Sequence, residues 1–130
     1  MAEELRLRGA LSRTMLMAGA LGAMSQLTVD YTEQRQQFGK PVGRFQAVQQ
    51  HLVWGAQDAA IAKMTAQVAA ARASDDVLAA GFEIAAARTV AEASEQAERK
   101  RLLYGGEKRL RLVISKIRSC QRRYLYAPSR

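Results

Sequence analysis

Residues 31–50, YTEQRQQFGKPVGRFQAVQQ, constrain the fold more than any other stretch of this chain. Apolar and polar spacings are helical on both sides of it, and Gly39 and Pro41 interrupt them. The segment therefore reads as the end of one helix, a sharp turn and the start of the next. Arg35, Gln36, Gln37, Lys40 and Arg44 gather around Phe38 and Phe45, a grouping able to meet a phosphate and an aromatic ring together.

The long segments flanking this corner set the fold class. Over residues 2–37, Leu5, Leu11, Met15, Leu16, Leu21, Met24 and Leu27 recur at helical spacing without proline, which predicts one long helix. Gly9, Ala10, Ala18, Gly19, Ala20, Gly22 and Ala23 lower helix propensity, so close helix approach is the expected use of these small residues. Gly19 and Gly22 do not read as a phosphate loop, because no strand precedes them and no Gly-Lys-Ser/Thr follows.

A second helix is expected from about residue 43 or 44 to 73, with Val48, Leu52, Val53, Ala56, Ala60, Met64, Gln67, Val68 and Ala71 along it. His51, without a second metal-ligand candidate near it, reads as a packed or surface histidine, and Trp54 as core or interface. Ser74, Asp75 and Asp76 supply a break and an N-cap for a third helix over about residues 76–101. Its apolar face would draw on Val77, Leu78, Phe82, Ile84, Ala85, Val90, Ala91 and Ala97. Glu92, Glu95, Glu98, Arg99 and Lys100 read as a solvated face with helical charge pairs, so no catalytic carboxylate pair is assigned there.

After Gly105 and Gly106, Leu110, Val113, Ile114, Ile117 and Tyr124 interleave with Lys108, Arg109, Arg111, Lys116, Arg118, Arg122 and Arg123. That pattern predicts a shorter, amphipathic, basic helix, with a short strand over residues 112–114 as the alternative. The fold class is thus all-α: an antiparallel bundle of three long helices plus a basic C-terminal helix. The expected organisation is a bundle over residues 1–104 followed by a basic, divergent segment over 105–130.

Charge sharpens this division. Residues 1–98 carry nine Lys and Arg against eleven Asp and Glu, and residues 99–130 carry eleven against one, so the chain's net +8 resides in its tail. A near-neutral domain with a basic appendage is not a chain basic over its whole surface. The lone Cys120 leaves no internal disulfide and no zinc spacing, so no metal site is expected. The longest uncharged run, residues 14–29, is short for a bilayer and carries polar residues, and Glu3 and Glu4 stand where a secretory signal would be positive. No membrane span and a cytoplasmic location are the expectations.

Gln34-Arg35-Gln36-Gln37-Phe38-Gly39-Lys40-Pro41 followed by Gly43-Arg44-Phe45-Gln46-Ala47-Val48-Gln49 resembles the signature joining the first two helices of the acyl-CoA dehydrogenase C-terminal domain. Met17-Ala18-Gly19-Ala20-Leu21 and Leu27-Thr28-Val29-Asp30-Tyr31 are similar to the same family, nearest its bacterial branch acting on steroid or unusual acyl-CoA substrates. The resemblance covers about residues 11–98.

It implies a helical domain that builds a dimer interface and whose first turn reaches a flavin adenine dinucleotide (FAD) shared with another subunit. Arg35 would contact the pyrophosphate, Gln37 would hydrogen-bond beside it, Phe38 would pack by the adenosine and Gln46 would support the adenine end. Gly105 and Gly106 would supply a second contact. The implied reaction removes an α-proton with a carboxylate while flavin takes a β-hydride, and no acid of this chain is assigned as that base. The implied chain is a fragment or truncated form, inactive alone. Its homo-oligomer or a partner chain would supply the missing domains, and acyl-CoA would bind only in the complete enzyme. The competing expectation is an oligomerisation module whose basic tail binds nucleic acid or anionic surfaces.

Overall fold

The computed structural model describes residues 1–104. Helix α1 spans Ala2–Gln34, a small hairpin pairs β1 (Gln36–Gln37) with β2 (Lys40–Pro41), and a single 3-10 turn covers Val42–Arg44. Helix α2 spans Gln46–Asp75 and α3 spans Gly81–Tyr104. The three helices all pack on one another, α2 running antiparallel to α1 and α3, so the all-α bundle expected from the sequence is what forms. The fourth basic helix, its strand alternative, Gly105, Gly106 and Cys120 lie outside the described residues. Among the described residues no helix is long and apolar enough to cross a membrane, and no cluster of His, Cys, Asp or Glu could hold a metal ion.

The boundaries differ from the sequence reading for local reasons. Helix α1 ends three residues earlier than expected because Arg35 is extended (φ −81°, ψ 124°) and starts the hairpin. Helix α2 starts later because residues 42–44 close as a 3-10 turn. Asp76 does cap, its Oδ1 accepting from the Leu78 and Ala79 amides at 2.8 and 3.3 Å. The cap opens onto turns over residues 77–80, so α3 begins at Gly81 and not at residue 76.

The partition of apolar residues is the larger correction. The buried stripe of α2 is Gly55, Ala59, Ala62, Ala66 and Ala69. Val53, Met64 and Val68, which the sequence reading placed along this helix, are 53%, 65% and 57% exposed, and Ala56, Ala60 and Ala71 face outward with them. On α3, Val77 (just before it), Ile84 and Ala91 are buried while Leu78 and Phe82 are 57% and 82% exposed. On α1, Met17, Ala18, Leu21 and Met24 face inward, and Leu5, Met15, Leu16 and Leu27 face out. Alanine lets helix axes approach closely, and bulky side chains excluded from so narrow an interior take the outer faces.

One layer of the core joins Ala18 and Leu21 to Ala59, Ala62 and Ala66. A second gathers Ala69, Val77, Ala80, Ile84 and Ala87, with Leu7, Ala10, Leu11 and Ala73 packed against it. Close approach therefore comes from alanines. A Cβ built on Gly9, Gly19 or Gly22 meets nothing within 4 Å, so within the single chain the close helix approach expected of the small residues does not fall at these glycines.

Candidate functional site

The corner between α1 and α2 is a two-residue hairpin whose central residues, Phe38 (φ 54°) and Gly39 (φ 76°), both have positive φ. Such turns match the twist of the paired strands, and glycine is at ease there. A phenylalanine is not, since a left-handed backbone crowds its Cβ. Its ring is nonetheless held outward, 94% exposed, at the tip. Gln37 pairs with Lys40 and Gln36 with Pro41.

The base of the hairpin is fixed from both helices. The Arg35 amide donates to the Tyr31 carbonyl at 3.0 Å, and the Val42 amide donates to the Arg35 carbonyl at 2.7 Å. The Arg35 guanidinium donates to the Tyr31 hydroxyl and lies 5.8 Å from that ring's centroid. Gly43 permits the chain to cross α1, because a Cβ there would stand 3.2 Å from Thr32 Oγ1. Phe38 and Phe45 meet edge to face at 6.3 Å, and Lys40 Nζ sits 4.4 Å from the Phe45 ring centroid. Gln46 is exposed at the first position of α2.

Arg35, Gln37, Phe38 and Gln46 are thus brought to one end of the bundle, all exposed, while Gly105 and Gly106 fall outside the described residues. Lys40 over Phe45 belongs to the cationic and aromatic grouping expected from the sequence, whereas the contact of Tyr31 with Arg35 was missed. The i,i+4 spacing of Tyr31 and Arg35 was the available signal.

A second polar cluster was also missed. Arg101 Nη1 lies 2.8 Å from Asp58 Oδ2 and 2.5 Å from Glu98 Oε1. The Asp58 contact is an ion pair not aligned for hydrogen bonding, whereas Glu98 accepts from Arg101. The Glu98 side chain is only 15% exposed, so it does not belong to the solvated face read from the sequence. Arg101 also lies 5.8 Å from the ring centroid of Trp54, which His51 meets edge to face. The cluster ties α3 to α2 and leaves its carboxylates engaged, which suits a clasp better than proton transfer.

An antiparallel, alanine-cored helical bundle with a cationic, aromatic-tipped hairpin between its first two helices defines a particular class of domain. The match to the family model "Acyl-CoA dehydrogenase, C-terminal domain" over residues 7–107 establishes that the chain belongs to that family, and over more of its length than the motifs alone suggested. The chain is also 42% identical over 69 residues to acyl-CoA dehydrogenase FadE27 of Mycobacterium tuberculosis, covering 53% of this chain and 18% of that protein. No solved structure matches it.

Proposed function

We propose that this chain is the FAD-contacting, dimerising C-terminal part of an acyl-CoA dehydrogenase, acting in α,β-dehydrogenation of acyl-CoA thioesters once further domains complete the pocket. The observation that carries the reading is the hairpin itself: a bulky aromatic in a left-handed conformation, fully presented to solvent, beside an arginine anchored at its base. Backbone strain at an exposed tip is retained where the side chain has a task.

The residues fit the group. The Arg35 guanidinium offers a planar fork suited to a pyrophosphate, and Gln37 stands two residues on, toward the same face of the ribbon. Phe38 offers a ring face to an adenosine. Gln46 lies in the first turn of α2, where no side chain caps the helix amides. A bound flavin would supply the hydride acceptor for the substrate β-carbon. The part of this chain is to hold and orient the dinucleotide, and the α-proton is left to a carboxylate outside the described cluster.

The outer faces support an assembly. Trp54, Ile61, Met64 and Val68 follow one another along α2 at helical spacing and are 42%, 51%, 65% and 57% exposed. Between residues 46 and 71 only Asp58 and Lys63 carry formal charge, and Asp58 is turned to Arg101. Large apolar residues without interspersed charge mark a covered surface. A second copy and the further domains of such an enzyme are the expected cover.

Flavin uptake by the purified chain tests the reading, followed by absorption with mass measured in solution. The native chain should show a bound flavin band on an oligomer. Arg35→Ala should weaken capture about tenfold, the worth of a charge-assisted hydrogen bond of about 1.5 kcal/mol. No band at saturating FAD, or an unchanged affinity in the variant, would refute it. Salt-sensitive nucleic-acid binding lost on deleting residues 105–130 would favour the basic-tail alternative.

A further inference from the structure

The hairpin ladder runs one pair beyond its two short strands, because the Val42 amide donates to the Arg35 carbonyl. Arg35 therefore stands opposite Val42, Gln36 opposite Pro41 and Gln37 opposite Lys40. Side chains alternate between the faces of a ribbon, and directly opposed residues share a face. Arg35, Gln37 and Lys40 consequently share one face, and Gln36 and Pro41 take the other.

Lys40 is also in an unusual electrostatic position. Glu33 is the lone acid between residues 31 and 57, against Arg35, Lys40 and Arg44. Lys40 makes no ion pair with any described residue, and its ammonium rests on the Phe45 ring. An ammonium over an aromatic face keeps its charge and its remaining donors available. Arg35 and Lys40 are diagonal neighbours on the ribbon, with Cα atoms about 7–8 Å apart in such a register, within reach of two long side chains.

We propose that Lys40 is a second anion-binding residue, and that Arg35 and Lys40 together distinguish the two phosphates of a nucleoside diphosphate group from a single phosphate. This rests on the reading of the corner as a dinucleotide contact and adds the residue that sets its selectivity. The guanidinium grips one phosphate through its fork, and the ammonium, a compact charge on a flexible stem, meets the other. Phe45 acts as a positioning residue by supporting that ammonium.

The test is equilibrium binding of FAD, ADP, AMP and riboflavin to the full chain, to Lys40→Ala and to Lys40→Arg. Far-UV circular dichroism checks that this exposed position leaves the fold intact. The native chain should bind ADP at least fivefold more tightly than AMP. Lys40→Ala should bring ADP to the level of AMP while leaving AMP unchanged, and Lys40→Arg should restore most of the difference. A merely structural role would weaken both nucleotides together and overturn the proposal. So would unchanged ADP affinity in Lys40→Ala, even with FAD still bound, in which case the flavin reading stands alone. Discrimination of ADP from AMP without any uptake of FAD would leave the diphosphate site standing and remove the flavin reading. Absence of binding by all four ligands would overturn both.

Discussion

Gly19 and Gly22 lie on the exposed face of α1, flanked by Met15 (48% exposed), Leu16 (63%) and Leu27 (47%), in a run uncharged from residue 14 to 29. Within the single chain nothing stands within 4 Å of a Cβ added at either position. Replacing both with alanine should therefore act on an isolated chain only through helix propensity, at about 0.8–1.0 kcal/mol each. The sum, about 2 kcal/mol of added stability, corresponds to a rise of roughly 8–16 °C in Tm for a domain of this size. If α1 packs closely on a second helix in the assembly, the same two methyl groups occupy the space that a neighbouring backbone needs, and association weakens. Denaturant unfolding at low protein concentration reads the first effect, and sedimentation velocity across a concentration series reads the second. A double variant that is more stable as a monomer and associates less would support both steps. No gain in monomer stability would refute the open surroundings of these glycines. A gain with unchanged association would refute a close contact on this face of α1.

Two further variants probe the clasp and the hairpin. Gly55→Ala should forgo the usual gain of about 1 kcal/mol, because the new Cβ would stand 2.8 Å from Glu98 Oε1, which Arg101 holds in place. In a Glu98→Ala background the gain should return, and a double-mutant cycle from chemical unfolding that shows no coupling would sink the idea. Phe38→Asn should stabilise the hairpin by about 1 kcal/mol by relieving the left-handed strain, seen as slower hydrogen exchange at the Val42 amide. The same change should weaken flavin uptake, and retention of full affinity would remove Phe38 from the site.

The helices and the corner were legible in the sequence because each rests on a local rule. Uninterrupted periodicity gives the helices, Gly39 and Pro41 give the corner, and Asp76 gives the cap. Which face of each helix turns inward was not legible. Alanine and leucine both count as apolar, and α2 offers Ala59, Ala62, Ala66 and Ala69 on one side and Val53, Ile61, Met64 and Val68 on the other. Hydrophobicity alone favours burying the second set. The choice of the first depends on how closely three helix axes can approach, a tertiary property. Glu98 was misread for a related reason: an acid on a helix is normally solvated, and only its contact with Arg101, under Trp54, draws it in. The left-handed conformation of Phe38 was hidden because the residue type argues against it.

An interior built on alanine has an energetic consequence. Burial stabilises by about 25 cal/mol for each Å² of apolar surface removed from water, and a methyl group removes little. Eight of the thirteen buried apolar residues among those described are alanines, while Trp54, Ile61, Met64 and Val68 remain in solvent. Much of the apolar surface that could stabilise this bundle is therefore realised only when something covers α2. The hairpin is set between the end of α1 and the start of α2, two helices with large apolar residues on their outer faces. A partner packed along these faces would also limit motion at the roots of the hairpin, Tyr31 and Phe45, on which Arg35 and Lys40 rest. The ordering cost of presenting two cations to a ligand would then already be met by assembly, so covering the faces and holding a diphosphate would favour one another.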